Sequence, residues 1–219
     1  MLFSFNDIDY SIGTDRVLKS PLSGGLNAGE VLVVRGASGS GKSTLLRVLS
    51  RLQAGIGGEA FLEDVSWSMI SGPLWRADVH YLAQKAALFD GTVAQNLAKP
   101  FEARITGGRR VFDSARAREL MDQLLLDENM WDRDARTLSG GEASRLAFVR
   151  SLLVEPRVLL LDEPTAALDE KSREAFYVVL SRWIVQNSRG ALLVSHNEDY
   201  NRLSGSIHFL DLENRRGGL

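Results

Sequence analysis

The sequence predicts an α/β protein whose core is interrupted by a helical lobe, and three observations predict it. An apolar strand runs into a glycine loop and then a helix over 31–52. A second, wholly apolar strand at 158–161 ends in two carboxylates, as buried parallel strands do where ligands collect at their carboxyl ends. Between them, from about 85 to 155, the apolar residues take on a helical period. At roughly 150 residues per domain, the 219 residues fit one domain. Its core is expected over 1–84 and 156–219, with the helical lobe over 85–155.

Leu2–Ile8 and Arg16–Leu18 read as strands, Ser23–Gly25 and Asn27–Gly29 as turns, and Val31–Arg35 as a buried strand. The helix after the glycine loop is expected over Thr44–Leu52, where Leu45, Leu46, Val48 and Leu49 share a face. Residues 54–84 read as a strand pair around Ala60–Leu62, a loop, and a strand at Val79–Leu82. In the lobe, Asp113–Leu126 aligns Ala117, Leu120, Met121, Leu124 and Leu125, and Ser139 opens a helix running into Leu153. After Pro156 come a strand at Val158–Leu161, a helix at Glu170–Gln186 and a strand at Ala191–Ser195. The C-terminal ENRRGGL reads as frayed.

Composition excludes several classes of function. Lys+Arg 26 against Asp+Glu 28 gives a net charge of −2, so no global polycation is available to hold nucleic acid. With no cysteine, disulfides, thiolate metal sites and a Cys nucleophile are excluded. No apolar run approaches the roughly 18 residues needed to span a bilayer, and MLFSFNDIDY lacks the basic start of a secretory signal. A soluble chain is expected.

The segment Gly36-Ala37-Ser38-Gly39-Ser40-Gly41-Lys42-Ser43-Thr44 fits G-x-x-x-x-G-K-[ST] between a predicted strand and a predicted helix. Its glycines let successive backbone N–H groups turn inward toward phosphate oxygens, and the helix start adds its positive dipole end. Lys42 supplies charge to the β- and γ-phosphates, and Ser43 offers a hydroxyl to Mg²⁺. At the end of the 158–161 strand, Asp162 is placed to orient Mg²⁺ or its water. Glu163, one residue on, points the other way, toward the position of an attacking water.

Leu138-Ser-Gly-Gly-Glu142, just before that strand, resembles the signature sequence of ATP-binding cassette (ABC) ATPases. With the other motifs in the family's order, the resemblance covers nearly the whole chain. It implies a P-loop NTPase core with a mixed sheet, an antiparallel β subdomain and an inserted helical lobe, hydrolysing ATP with Mg²⁺. Tyr10 lies where the family has an adenine-stacking aromatic, with Arg16 as an alternative platform. Gln84 is similar to the family's glutamine between the lobes, which reaches the metal and the attacking water. Asp169, in Ala167-Leu168-Asp169, matches the loop after the acidic strand and also reads as a helix cap. His196 matches the switch histidine near the γ-phosphate.

Ser139 is a good N-cap, and the glycines leave N–H groups bare at a helix start, a second anion site spare within one chain. The family resemblance implies that Ser139, Gly140 and Gly141 cap the γ-phosphate held by a second subunit. It also implies a multi-span membrane permease as partner, no nucleic acid, and a place at the cytoplasmic face of the inner membrane. Docking is expected around Gln84 to Phe101, where Ala86, Ala87, Leu88, Phe89, Val93 and Leu97 look exposed. Ala143 and Ser144 depart from the pattern of many importers. The length and the stretch LFDGTVAQNLAKPF look most similar to small bacterial ATPases of Fet type, associated with iron efflux. A soluble ABC ATPase of an assembly or repair system is the competing reading.

Overall fold

The computed structural model describes residues 1–12, 16–17, 20–102, 111–186, 188–195 and 198–212, positions 16–17 as backbone. Five strands form a parallel sheet, in the order β11-β5-β10-β9-β8. They are β5 (Glu30–Arg35), β8 (Val79–Leu82), β9 (Val158–Asp162), β10 (Gly190–Val194) and β11 (Ser206–Asp211). The inner strands β9 and β10 are buried at every residue, as a strand covered on both faces must be. Because all five run the same way, the chain leaves β5, β8, β9 and β10 along one edge. That edge receives the glycine loop, Gln84, Asp162–Glu163 and Ser195.

Alternation along these strands feeds two cores. Val31, Val33, Leu159, Leu161, Ala191 and Leu193 face the helices α3 (Val93–Ala98), α4 (Ser114–Gln123), α5 (Gly140–Leu153) and α6 (Glu170–Val185). Leu32, Val34, Leu160, Leu192 and Val194 face α1 (Lys42–Leu49), α2 (Gly72–Asp78) and a second sheet. That second sheet is antiparallel, in the order β4-β1-β6-β7. It comprises β1 (Phe3–Asp9), β4 (Leu22–Leu26), β6 (Gly57–Leu62) and β7 (Val65–Ser66), while β2 (Ser11–Ile12) and β3 (Arg16–Val17) pair as a ribbon. Parallel and antiparallel strands thus segregate into separate sheets. Trp75 on α2 is fully buried against the second core and donates its indole N–H to the Leu49 carbonyl at 2.8 Å.

Several expectations are corrected. Ser23–Gly25 is not a turn but the middle of β4, where Phe5 lies so close that a Cβ on Gly24 would sit 2.8 Å from its ring. The loop expected between Leu62 and Val79 contains α2. The strand β11 was not expected, because this edge strand is largely exposed and carries no apolar run. The C-terminal ENRRGGL lies outside the described residues. No helix among the described residues is long and apolar enough to cross a membrane.

Candidate active site

The loop from Gly36 to Gly39 is exposed, and α1 starts directly after Gly41. Gly41 takes the left-handed conformation (φ 99°) and no side chain caps the helix, so first-turn N–H groups remain open to an anion. A Cβ there would lie 2.8 Å from Ile12 and 3.1 Å from Tyr10, so the packing beneath the loop also requires glycine. Lys42 is buried, and its ammonium bends back over its own loop, donating to the carbonyls of Gly36 (2.8 Å) and Ala37 (3.0 Å). Burial pushes its pKa below the usual lysine value, partly offset by Glu163 and Asp162. The Ser40 Oγ is buried with no hydrogen-bond partner among the described residues, which marks the loop as unsatisfied in isolation.

Strand β9 brings its acids to this loop. Ser43 donates its hydroxyl to Asp162 Oδ1 at 2.9 Å, and Tyr81 donates to Oδ2 at 2.8 Å. Burial and the neighbouring Asp162 raise the Tyr81 pKa, so the phenol stays a donor. Asp162 itself is 3% exposed. The backbone then turns sharply: Glu163 has φ 47°, and its N–H donates to the Val194 carbonyl at 3.0 Å. A non-glycine residue in this region stores roughly 1–3 kcal/mol, a strain concentrated at functional sites. Gln84 donates its amide to Glu163 Oε2 at 2.8 Å.

Ser43 and Asp162 are therefore paired, with Gln84 bonded to the next residue, Glu163. The oxygen donors of Ser43, Asp162 and Gln84, with one carboxylate, are of the kind that suits a hard cation such as Mg²⁺. Sequence reasoning missed Tyr81. The one available signal was its place near the end of the strand that Gln84 follows.

The second locus is the start of α5. Ser139 Oγ accepts from the Glu142 N–H at 3.3 Å, and Glu142 accepts from the Ser139 N–H at 2.7 Å. This reciprocal box holds the Glu142 pKa below its usual value. Nothing crowds Gly140, whereas a Cβ on Gly141 would sit 3.1 Å from the Ala167 carbonyl. The signature thus abuts the Asp169 loop of its own chain. Asp169 caps α6, accepting from the Ser172 N–H at 2.8 Å. Arg145 ties this end of α5 to α4, donating to the carbonyls of Leu124 (3.0 Å) and Leu125 (2.7 Å).

The expected site residues therefore fall into two groups: the loop 36–44 with Gln84, Asp162 and Glu163, and Ser139–Gly141 with Asp169. Two expectations fare differently. Tyr10 is fully buried and donates its hydroxyl to the Gly41 carbonyl at 3.1 Å. It supports the phosphate loop from beneath and offers no open face to a base. His196 lies outside the described residues, as does the Arg16 side chain.

Residues 20–166 match the family model described as ABC transporter. The chain belongs to the ABC transporter ATPase family. This ABC ATPase is 32% identical to the probable iron export ATP-binding protein FetA of Escherichia coli K12 over 90% of its own length and 86% of FetA. It is 39% identical to Protein STAR1 of Oryza sativa over 77% of its length and 35% identical to the sulfate/thiosulfate import ATP-binding protein CysA 2 of Agrobacterium fabrum over 80%. It spans only about half of each of these two relatives (48% and 50%). Its fold matches a dimeric ATP-binding cassette bound to ADP and Pi, with TM-score 0.82, 23% identity and coverage of 99% and 100%. It also matches a bacterial Atm1-family ABC exporter with ATP bound, with TM-score 0.78, 25% identity and coverage of 96% and 37%. The reaction of the family is ATP hydrolysis, and this chain is an ABC-type ATPase.

Proposed function

We propose that this ABC ATPase powers a membrane transporter, hydrolysing ATP at a site completed by a second subunit. The observation that carries the reading is the convergence of Lys42, Ser43–Asp162 and Gln84–Glu163 on the carboxyl edge of one parallel sheet. When nucleotide binds, Lys42 exchanges two loop carbonyls for phosphate oxygens. Ser43 and Asp162 would hold Mg²⁺, with Gln84 nearby; the ion would neutralise phosphate charge. Glu163, held outward by its left-handed backbone, accepts a proton from the attacking water. His196 is assigned to the γ-phosphate on the motif LLVSHNED. Ser139, Gly140 and Gly141 cap the γ-phosphate of the partner, and Asp169 faces it.

The partner that sets substrate and direction is a multi-span permease, which places this chain at the cytoplasmic face of the membrane. The docking surface is narrower than the run of apolar residues suggested. Val93 and Leu97 are buried in the core, and Ala86 and Leu88 pack against it, leaving Ala87 and Phe89 outward. Asn96 clamps the backbone of Phe89 at 2.8 and 2.9 Å. Arg150 donates to the Ala87 carbonyl at 2.6 Å and lies 5.0 Å from the Phe89 ring centroid. The likeness to FetA over most of both chains favours export of a metal such as iron.

Steady-state ATPase measurements on Glu163→Gln test the core of the reading. Turnover should fall by a factor on the order of 10² to 10⁴, the contribution of general base catalysis, while nucleotide binding persists. Unchanged turnover contradicts it.

A further inference from the structure

We propose that Arg173 is a positioning residue that fixes the Asp169 loop to the segment following His196; the inference rests on the hydrolytic reading above. Arg173 lies in the first turn of α6, with its side chain 22% exposed. Its guanidinium fork reaches in three directions. Nη2 donates to the Leu168 carbonyl at 3.2 Å, inside the Asp169 loop, and Nη1 to Glu170 at 3.2 Å. Nε faces Asp199 Oδ2 at 3.4 Å, with no hydrogen bond, and Asp199 is itself only 12% exposed.

Asp199 is three residues beyond His196, in the short helical turn Glu198–Arg202. Arg202 anchors the other end of that turn, with 2.6 Å contacts to Glu170 and Glu174. Its glutamate partners are mostly exposed, so those pairs are surface ion pairs that contribute little. Arg173 differs because one half-buried cation touches a loop carbonyl and also faces the acid following His196, itself only 12% exposed. A planar fork can span both partners, and a lysine point charge cannot. The loop that faces the second subunit and the turn Glu198–Arg202 that follows His196 are thereby held at one spacing, which would couple engagement at Asp169 to the γ-phosphate.

The test uses the full chain and compares wild type, Glu163→Gln, Arg173→Met and His196→Ala, with the Arg173→Met/His196→Ala double variant. Arg173→Met should lower kcat roughly 10- to 100-fold, the size expected when a reacting group shifts by about 1 Å. KM for ATP should stay within about twofold, since the phosphate loop is untouched. In the His196→Ala background the same change should have little further effect. A merely structural role would instead add its loss to that of His196→Ala. Arg173→Lys should not restore kcat. If Arg173→Met does not fold, Asp199→Asn, which leaves the loop contact intact, is read by the same criteria.

Unchanged kcat in a folded variant, additive losses with His196→Ala, or rescue by lysine overturns the proposal. Loss of turnover in Glu163→Gln alongside any of these results leaves the hydrolytic reading standing. Full turnover in Glu163→Gln removes that reading instead.

Discussion

Individual side chains here carry charge into places where water is scarce. Lys42 is the clearest case: its ammonium is satisfied by two loop carbonyls at 2.8 and 3.0 Å and is available to phosphate once these are exchanged. Lys42→Ala should therefore reduce ATP affinity by more than about tenfold, since charge-assisted bonds contribute roughly 1.5–3 kcal/mol each. Titration calorimetry would read it directly, and tight binding by the variant would remove the assigned role. His80 gives a different test. Burial and the nearby Arg150 charge depress its pKa to about 4 from the usual 6.5. The unfolded chain then binds a proton between these values that the folded chain refuses, so stability falls as pH drops through that window. At pH 4.5 the loss from this residue should be about 2–3 kcal/mol relative to pH 7. His80→Gln should remove that part of the acid sensitivity in urea melts at the two pH values. Lys42, Ser43 and Asp162 were legible because contiguous motifs define them. Tyr81 was not, since its bond to Asp162 exists only because β8 pairs with β9 across 81 residues of chain. Tyr10 was misread because an aromatic at a strand end looks the same in sequence whether it is buried or exposed.

At the scale of elements, the local signals that worked were caps. Ser139 and Glu142 mark the start of α5, and Asp169 that of α6, because a side-chain acceptor near bare N–H groups is a purely local device. Asn is as good a cap as Asp, so Asp169→Asn should leave the melting temperature unchanged. A drop in ATPase rate in that variant would then report the lost charge and not a frayed helix; unchanged rate would reduce Asp169 to a cap. Where elements were missed, the pattern had been set by partners in space. β4 carries two glycines because β1 lies across them, the Phe5 ring over Gly24 and the Phe3 carbonyl over Gly25, and β11 needs no apolar run at an exposed edge. Packing between elements is concentrated at Phe148 of α5, whose ring centroid is 4.1 Å from that of Phe176 on α6. Phe148→Ala should lower stability by about 3–5 kcal/mol, measurable as a shift in the urea midpoint.

For the whole molecule, the division of the site is the central feature. One chain brings its phosphate loop, Gln84, Asp162 and Glu163 to the edge of the parallel sheet, while Ser139–Gly141 abuts its own Asp169 loop. Gly140, where nothing crowds an added Cβ, leaves open the helix start that a second chain's nucleotide would use. ATP should then bind two copies together, and hydrolysis should release them. The most direct measurement is the mass of the Glu163→Gln chain by size-exclusion chromatography with light scattering. Without nucleotide it should run at the monomer mass of 24.2 kDa, and with ATP at twice that. Adding Ser139→Arg should return it to the monomer with ATP still bound. A double variant that still dimerises on ATP, or a Glu163→Gln chain that binds ATP and stays monomeric, would contradict a site shared between two subunits.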